Sequence, residues 1–449
     1  MQDEFVVEGG RPLSGSVSVP GDKSISHRAL LCAALADGES LVRGLSDGED
    51  VRRTEAAVEA LGAIVSDGIQ DGIEPRGSRN HETSIAGGPG LLRQPGGAID
   101  CGNSGTTVRL LAGVVAGHPW SVTLTGDDSL SNRPMDRIAR PLELMGATVT
   151  GRGGRCQPPI AINGGSLQGI EYAPPQASAQ VKSCVLYAGL AADGETVVNE
   201  AVPTRRHTEE LFEICGVDIE EQHNSSGHVV KLRPSELGPF ELSIPGDPSQ
   251  GAFWIVAALI VPGSEISLPG IYVGEQRRGF LDVLERMGAS ITEDEMSIWA
   301  TSSLDSTADV VCRHSTLVAT DVDASEITGL DEVPVLAVAA CFAEGTTTFK
   351  GVGELRVKES DRLAGIVDML AAFGGSAVAD GDDLVVTGVG HLSPARFHSS
   401  GDHRMAMAAA IAGLAAVGDG LSVISGWSSV STSYPAFGEH VSGLLGGYS

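Results

Sequence analysis

Basic side chains at the beginnings of apolar segments are the features of this sequence with most chemical content. Lys23, Ser24 and Arg28 open an apolar run that continues to Ala36. Arg133 stands just before Pro134 and the helical pattern after it. Lys358, Glu359 and Arg362 open the segment RLAGIVDMLAAFG, and Arg404 opens MAMAAAIAGLAAV. The helix dipole favours Asp or Glu at such positions, and a single basic residue there is ordinarily a surface charge or half of an ion pair. Four such sites in a chain with 30 basic and 58 acidic residues imply bound anions. A helix start already offers free N–H groups, and an added cation makes it a phosphate or carboxylate site. GNSGTTVRLLAGVVAG (102–117) fits the same chemistry, because Gly102 and Gly105 bracket Asn103 and Ser104 just ahead of an apolar helix. Neither G-x-x-x-x-G-K-[ST] nor H-E-x-x-H occurs, so neither a Walker nucleotide site nor a metal site is supported.

Acid–base candidates are fewer. Asp331, in GLDEVPVLAVAAC, precedes a nearly all-apolar helix in the place of an N-cap. Glu359 lies between Lys358 and Arg362, where an ion pair would equally account for it. In SAQVKSCVLYAGL, Ser178 and Gln180 offer neutral donors and Lys182 adds charge. Thr204-Arg205-Arg206-His207-Thr208 offers a hydroxyl and cations before a helix over 208–215, and His403 reads as part of a positioning network. Many cations, two carboxylates and no obvious nucleophile point to acid–base chemistry on a small phosphorylated or carboxylated metabolite held between two domains.

The elements that must position these groups are repeated. A helical run ending in an apolar residue, Gly, a small residue and a strand occurs as VEALGAIV (58–65), LELMGATV (142–149), LFEICGVDI (211–219), LERMGASI (284–291) and MLAAFGGSAV (369–378). A shortened copy, VSGLLGG (441–447), follows. Gly62, Gly146, Gly216, Gly288, Gly374 and Gly446 punctuate them, each read as a helix-terminating glycine before a strand. Units of this size are too large for a thin solenoid. Pro-Gly-Asp followed by an apolar helix also occurs twice, from Pro20 and from Pro245. Two similar α/β (α+β) domains of three units each follow, 20–244 and 1–19 with 245–449, the N-terminal strands belonging with the second. The polar stretch 218–228 and the Gly-rich stretch 150–169 read as loops.

Composition narrows the surroundings. The net charge of −28 counts against nucleic acid and anionic membrane surfaces as partners. The longest apolar run, Met405 to Val417, falls short of the ~20 residues that span a bilayer. The N-terminus lacks a signal-peptide layout. Seven scattered cysteines, none in C-x-x-C, predict a reducing cytoplasm without a disulfide framework or zinc. Five Lys against 25 Arg, with acid dispersed along the chain, read as adaptation to a salt-rich, halophilic cytoplasm.

PGDKSISHRAL, GNSGTTVRLLAG, SLSNRPMDRI, SAQVKS, LDEVPVLAVAA, LRVKESDRL, GDHRMAMA and TSYPAF, in this order from residue 20 to 437, resemble the 5-enolpyruvylshikimate-3-phosphate synthase family of enolpyruvyl transferases. The resemblance covers essentially the whole chain. It implies two domains, each of three βαβαββ units with inward helices, and an active site in the interdomain cleft. It further implies transfer of the carboxyvinyl group of phosphoenolpyruvate to the 5-hydroxyl of shikimate 3-phosphate, by addition and elimination, without metal or cofactor, in a monomer. Carried over by motif, Lys23 lies between both substrates, and Ser24 and Arg28 take the shikimate carboxylate. Ser178, Ala179 and Thr204 match phosphate-binding positions, and Gln180 lies along the ring toward phosphoenolpyruvate. Gly105, Arg133, Arg362 and Arg404 hold phosphoenolpyruvate. Asp331 accepts the 5-hydroxyl proton, Lys358 contacts the same substrate, and Glu359, with Lys23, protonates the vinyl carbon.

Ala179 and Thr204 depart from the Ser of many relatives, Glu354 from a frequent Asn, and Thr432 from the Lys of some. The sister enzyme acting on a UDP-amino sugar, UDP-N-acetylglucosamine enolpyruvyl transferase, is the nearest alternative; its hallmark Cys is missing from Trp120 to Arg133. A non-catalytic clamp would leave the cations unexplained. At ~1 M salt the Debye length is about 3 Å, so the dispersed acid predicts activity that rises with molar salt. A salt titration of turnover with its maximum in dilute buffer would refute the halophilic reading.

Overall fold

A computed structural model describes residues 3–67, 80–224, 227–295 and 306–446. The final residue of the shortened repeat copy, 447, lies outside them. The chain divides into two compact units, one formed by Gly21–Ile244 and the other by Met1–Pro20 with the chain from Pro245 onward.

The unit Gly21–Ile244 contains α1 (Lys23–Leu35), α2 (Glu49–Ala60), α3 (Gly105–Ala116), α4 (Asp136–Met145), α5 (Ala179–Gly189) and α6 (His207–Ile214). Three four-stranded sheets accompany them. Their strand orders are Glu241–Ser243, Gly38–Arg43, Glu82–Gly87, Ile64–Asp67; Ile99–Asp100, Ser121–Thr125, Gln157–Asn163, Thr148–Arg152; and Glu171–Tyr172, Thr196–Glu200, Gly227–Leu232, Ile219–Asn224. In each sheet the first pairing is parallel and the other two are antiparallel.

The other unit repeats this plan with α7 (Pro248–Ile260), α8 (Gly279–Arg286), α9 (Val333–Ala340), α10 (Arg362–Ala372), α11 (His403–Ala415) and α12 (Phe437–Gly446). Ser14–Ser16 lies parallel to Glu265–Tyr272, and Glu4–Val7 pairs antiparallel with Ser422–Ser425, so the N-terminal segment completes two of its three sheets. The order strand–helix–strand–helix–strand–strand reads along 99–163 and 321–387, and along 171–232 with one short added strand, Ala192–Asp193. Among the described residues no helix is long and apolar enough to cross a membrane.

Burial follows from composition. α7, α9 and α11 are buried along their whole length and pack on one another, as helices apolar all round must. In the first unit α3 packs on both α1 and α5. Among the even-numbered helices, α4, α10 and α12 pack on the strands Thr148–Arg152, Ser376–Asp380 and Ser14–Ser16. The ends of the even-numbered helices obey the repeat: Gly62, Gly146, Gly216, Gly288 and Gly374 all have positive φ, from 78° at Gly216 to 112° at Gly146. That conformation stops a helix and suits Gly because it lacks a Cβ. Gly446 differs, being the last residue of α12 itself.

Two expectations are overturned. The described part of 218–228 is largely strand, because Ile219–Asn224 pairs antiparallel with Gly227–Leu232, in which alternate residues are buried. Likewise most of 148–163 is paired, Thr148–Arg152 with Gln157–Asn163. Cross-strand hydrogen bonds and one buried face outweigh polar or Gly-rich composition there.

Close approach of α3 and α5 depends on Gly113. A Cβ at that position would lie 2.2 Å from the Cys184 carbonyl oxygen. Gly113→Ala is therefore expected to destabilise the protein by ~1–3 kcal/mol through overpacking. Denaturant unfolding measures this, and an unchanged midpoint would contradict the packing described.

Candidate active site

In the unit Gly21–Ile244 the candidate residues gather at the N-termini of α1, α3 and α5. Asp22 caps α1 by accepting from the Ile25 N–H at 2.9 Å. The cap leaves Lys23, Ser24 and Arg28 on the first turns. Lys23 pairs with Asp50 at the start of α2. Arg28 is buried, and its donors go to neutral oxygens: Nε to Thr208 Oγ1 at 2.7 Å, Nη2 to Ser183 Oγ at 2.7 Å and Nη1 to the Ser24 carbonyl at 2.9 Å. No carboxylate forms an ion pair with Arg28 among the described residues. Burial accordingly pushes its pKa down, against the weaker pull of Tyr187 and Glu209. A desolvated guanidinium so placed is a receptor for an anion. Its neighbour His27 is held well below its ordinary pKa, first by burial and then by Lys23 and Arg28, and is neutral.

At α3, Ser104 is the N-cap and Gly105 the first residue. A Cβ on Gly105 would lie 3.1 Å from Arg109 Nη1 and 3.2 Å from Arg133 Nη1, so two guanidinium groups converge at this helix start. Gln180 joins α3 to α5: it donates to Thr106 Oγ1 at 2.9 Å and accepts from Arg109 at 2.5 Å. Ser178 caps α5, and Ala179, whose carbonyl accepts from Ser183 at 2.6 Å, is the first residue of that helix. Arg205 donates to Ser24 Oγ at 3.2 Å.

Two expected donors are engaged elsewhere. Thr204 is buried and its hydroxyl donates to Glu200. Lys182 adds no charge at a ligand: it is fully buried, with Nζ 2.7 Å from Glu200 and 2.6 Å from Glu209. Its position on the inner face of α5 puts it between two carboxylates. Glu200, Glu209 and His228, and also Glu221, His223 and His228, have metal-ligand spacing. In both sets His228 has each ring nitrogen on a carboxylate, Glu200 at 3.0 Å and Glu221 at 2.7 Å, and in the first set Lys182 already supplies the cation. The donor chemistry is that of an ion-pair network.

In the other unit Asp331 is not an N-cap; Glu332 holds that position on α9 without a side-chain cap bond. The Asp331 carboxylate turns instead to Arg362 and Arg404, at 3.3 Å from each. Arg362, buried at the start of α10, also binds Glu359 at 2.5 Å and Asp402 at 2.8 Å. Lys358 and Glu359 precede this helix rather than opening it. The three carboxylates outweigh burial and raise the Arg362 pKa. Asp402 caps α11, accepting from Arg404 N–H at 2.9 Å and from Met405 N–H at 3.4 Å. Among the described residues Lys358 makes a single ion pair, to Glu354 at 3.4 Å. Thr432, buried, donates to the Ser429 carbonyl at 2.7 Å.

Sequence reasoning passed over Arg109 and Asp402. Signals existed: Arg109 is four residues after Gly105 on one helix face, and Asp402 precedes His403-Arg404 as a cap would.

Burial alone would raise the Asp402 pKa, but Arg362 outweighs it and holds the carboxyl below its ordinary range. Its contribution to stability is present above the unfolded-state pKa of ~3.9 and is lost as pH falls through the folded value. Asp402→Ala should cost about 3–5 kcal/mol at pH 7, as when one partner of a buried pair is removed. Urea unfolding at pH 7 and at lower pH measures both. A variant as stable as the parent would show that Arg362 does not need Asp402.

Comparison with known proteins accords with this geometry. The family model described as EPSP synthase (3-phosphoshikimate 1-carboxyvinyltransferase) matches residues 7–441. A 3-phosphoshikimate 1-carboxyvinyltransferase of Paracoccus denitrificans is 45% identical over 439 residues, covering 96% of this chain and 95% of the relative. One from Acaryochloris marina is 42% identical over 435 residues, covering 96% and 94%. A solved EPSP synthase from Acinetobacter baumannii superposes with a TM-score of 0.85 at 36% identity, covering 99% of this chain and 98% of that one. With a match of this extent in sequence and in fold, the chain belongs to the EPSP synthase family.

Proposed function

We propose that this chain transfers the carboxyvinyl group of phosphoenolpyruvate to the 5-hydroxyl of shikimate 3-phosphate, releasing phosphate. One observation carries the reading beyond family membership: two carboxylates, Asp331 and Glu359, are held by one buried guanidinium, Arg362. Acid and base are thereby kept together at a site whose cations suit an anionic substrate.

In the addition step, Asp331 accepts the proton of the 5-hydroxyl as its oxygen bonds to C2 of phosphoenolpyruvate. Glu359, with Lys23, delivers a proton to C3, giving a tetrahedral intermediate with a methyl group. In the elimination step a proton leaves that methyl, the C2–C3 double bond re-forms and the C2–O bond to phosphate breaks. By microscopic reversibility the carboxyl that gave the C3 proton is suited to take one back. Arg362 and Arg404 offer the phosphoenolpyruvate carboxylate the donors that Asp331 and Glu359 hold in the free chain, so binding releases both carboxylates for proton transfer. Gly105, Arg133 and Gln180 serve the same substrate, and the convergence of Arg109 on Gly105 adds a further cation to that side.

Arg28, Ser24 and Lys23 take the shikimate carboxylate, supported by the missing protein counter-ion of Arg28. Ser178, Ala179 and Thr204 face the 3-phosphate by motif. Because the Thr204 hydroxyl already donates to Glu200, Arg205 is the better-placed phosphate donor. Lys358 and Asp331 contact shikimate 3-phosphate by motif. The reading includes a cytoplasmic monomer without cofactor; the seven free cysteines suit a reducing compartment.

A phosphate-release assay tests the proposal. Turnover should require both phosphoenolpyruvate and shikimate 3-phosphate, and turnover only with UDP-N-acetylglucosamine would overturn it. Asp331→Asn and Glu359→Gln should each lower kcat by ~10²–10⁴-fold with small changes in KM; undiminished turnover removes that residue from the chemistry. Gly105→Ala, which presses a methyl against two guanidinium groups, should raise KM for phosphoenolpyruvate and leave KM for shikimate 3-phosphate near the parent value. An equal rise in both would contradict the assignment.

A further inference from the structure

A chain of charges in the unit Gly21–Ile244, buried from Glu209 to His228 and open to solvent at Arg206, is not used by the chemistry above. It runs Glu209, Lys182, Glu200, His228, Glu221, Arg206, with each member paired to the next. Ion pairs so enclosed are weak evidence for stability, since well-packed apolar residues often serve as well. Their use is better sought in what they hold in place. Glu200, at the end of the strand Thr196–Glu200, accepts from Lys182 Nζ at 2.7 Å, from His228 Nδ1 at 3.0 Å, and from both the N–H (3.4 Å) and the hydroxyl of Thr204.

Thr204 lies in the turn 201–206, which has no strand or helix hydrogen bonding of its own. The helix that follows, α6, starts without a side-chain cap at Arg206. Among the described residues the turn is tied to its surroundings through Glu200, through Lys182 Nζ at 3.5 Å from the Thr204 carbonyl, and through Arg206, whose Nε donates to Glu221 at 2.8 Å. The residues leaving it address the ligand side: Arg205 donates to Ser24, and Thr208 accepts from Arg28 and bonds Ser183 at 2.7 Å.

We propose that Glu200, backed by Lys182 and His228, is a positioning residue for shikimate 3-phosphate, its carboxylate pinning the turn 201–206 so that Arg205 and Thr208 keep Ser24 and Arg28 in place. The inference rests on the ligand assignment proposed above. No metal or proton transfer is involved; the network acts by fixing backbone.

The network has a titratable member. Burial lowers the His228 pKa, but hydrogen bonds to Glu200 and Glu221 outweigh it and raise the value to about 9. Around it stand Glu200, Glu221, Lys182, Glu209 and Arg206, with His223 stacked on the ring at 4.4 Å. Below pH 6.5 the gain from its raised pKa is fully present; as pH rises through about 9 His228 loses an N–H and one carboxylate loses a donor. Shikimate 3-phosphate affinity should weaken over the same interval.

Steady-state kinetics with each substrate varied, from pH 6.5 to 10, test this. Parent turnover of phosphoenolpyruvate with shikimate 3-phosphate checks the underlying reading independently, because its absence would sink that reading whatever the variants do. Glu200→Gln, which leaves Lys182 paired with Glu209, should raise KM for shikimate 3-phosphate ~10-fold or more, the cost of a lost charged hydrogen bond. kcat and KM for phosphoenolpyruvate should stay within about threefold, the ordinary context spread. His228→Gln, which keeps one N–H donor, should flatten the rise of that KM above pH 8. Should Glu200→Gln fail to fold, the His228→Gln profile decides alone. Loss of thermal stability with both KM values unchanged, or an alkaline rise that persists in His228→Gln, would overturn the proposal.

Discussion

A guanidinium removed from water must find negative charge or accept a large desolvation cost, and each of the two units buries one such group among its candidate residues, treated in opposite ways. Arg362 is surrounded by Asp331, Glu359 and Asp402. Arg28 is equally buried, and its hydrogen bonds among the described residues go to hydroxyls and a carbonyl. The first arrangement fixes two carboxylates on one cation. The second leaves a positive charge without an ion-paired carboxylate among the described residues, which suits the anionic ligand proposed for it. The net charge of −28 is therefore no guide to the ligands, because acid spread over an exterior is screened by salt while cations at buried helix starts are not.

The repeated architecture makes this difference possible. Asp22 and Asp247 cap α1 and α7 in the same way after the same Pro-Gly. The residues that follow differ: Lys23 and Arg28 correspond to Pro248 and Phe253. On α7 the polar group at the start, Ser249, is closed into a buried set with Arg277, Asp247 and Glu332. One supersecondary unit thus carries cations at its helix start in one copy and apolar core in the other, through a change of a few side chains.

Much of what the proposed site rests on was written in local sequence patterns. Cations at helix starts contradict the dipole preference, and a contradiction repeated four times calls for an external anion. The five glycines at helix ends were legible for a similar reason, since each must adopt a left-handed conformation to start the next strand. Legibility failed where polar composition was taken as exposure. Ile219–Asn224 is a strand because its partner supplies hydrogen bonds and a buried face, neither of which is local. Lys182, a cation near a helix start, faces inward by helical phase toward Glu200 and Glu209. Asp331 occupies a cap-like position and yet points to Arg362 and Arg404.

What the sequence by itself determined was the inventory: a six-fold α/β repeat, two Pro-Gly-Asp helix starts, the motif cations and two carboxylates, all expressed in short-range patterns of charge, glycine and apolar period. Tertiary structure alone decided which charges pair. Arg109 meets Arg133 at Gly105, Glu200 gathers Lys182, Thr204 and His228, and Asp402 reaches Arg362 across 40 residues of chain. Pairing depends on distances of a few ångströms between elements remote in sequence. A charge becomes a ligand site or a structural tie according to whether a neighbour neutralises it, and that neighbour is chosen by the packing of whole helices and sheets.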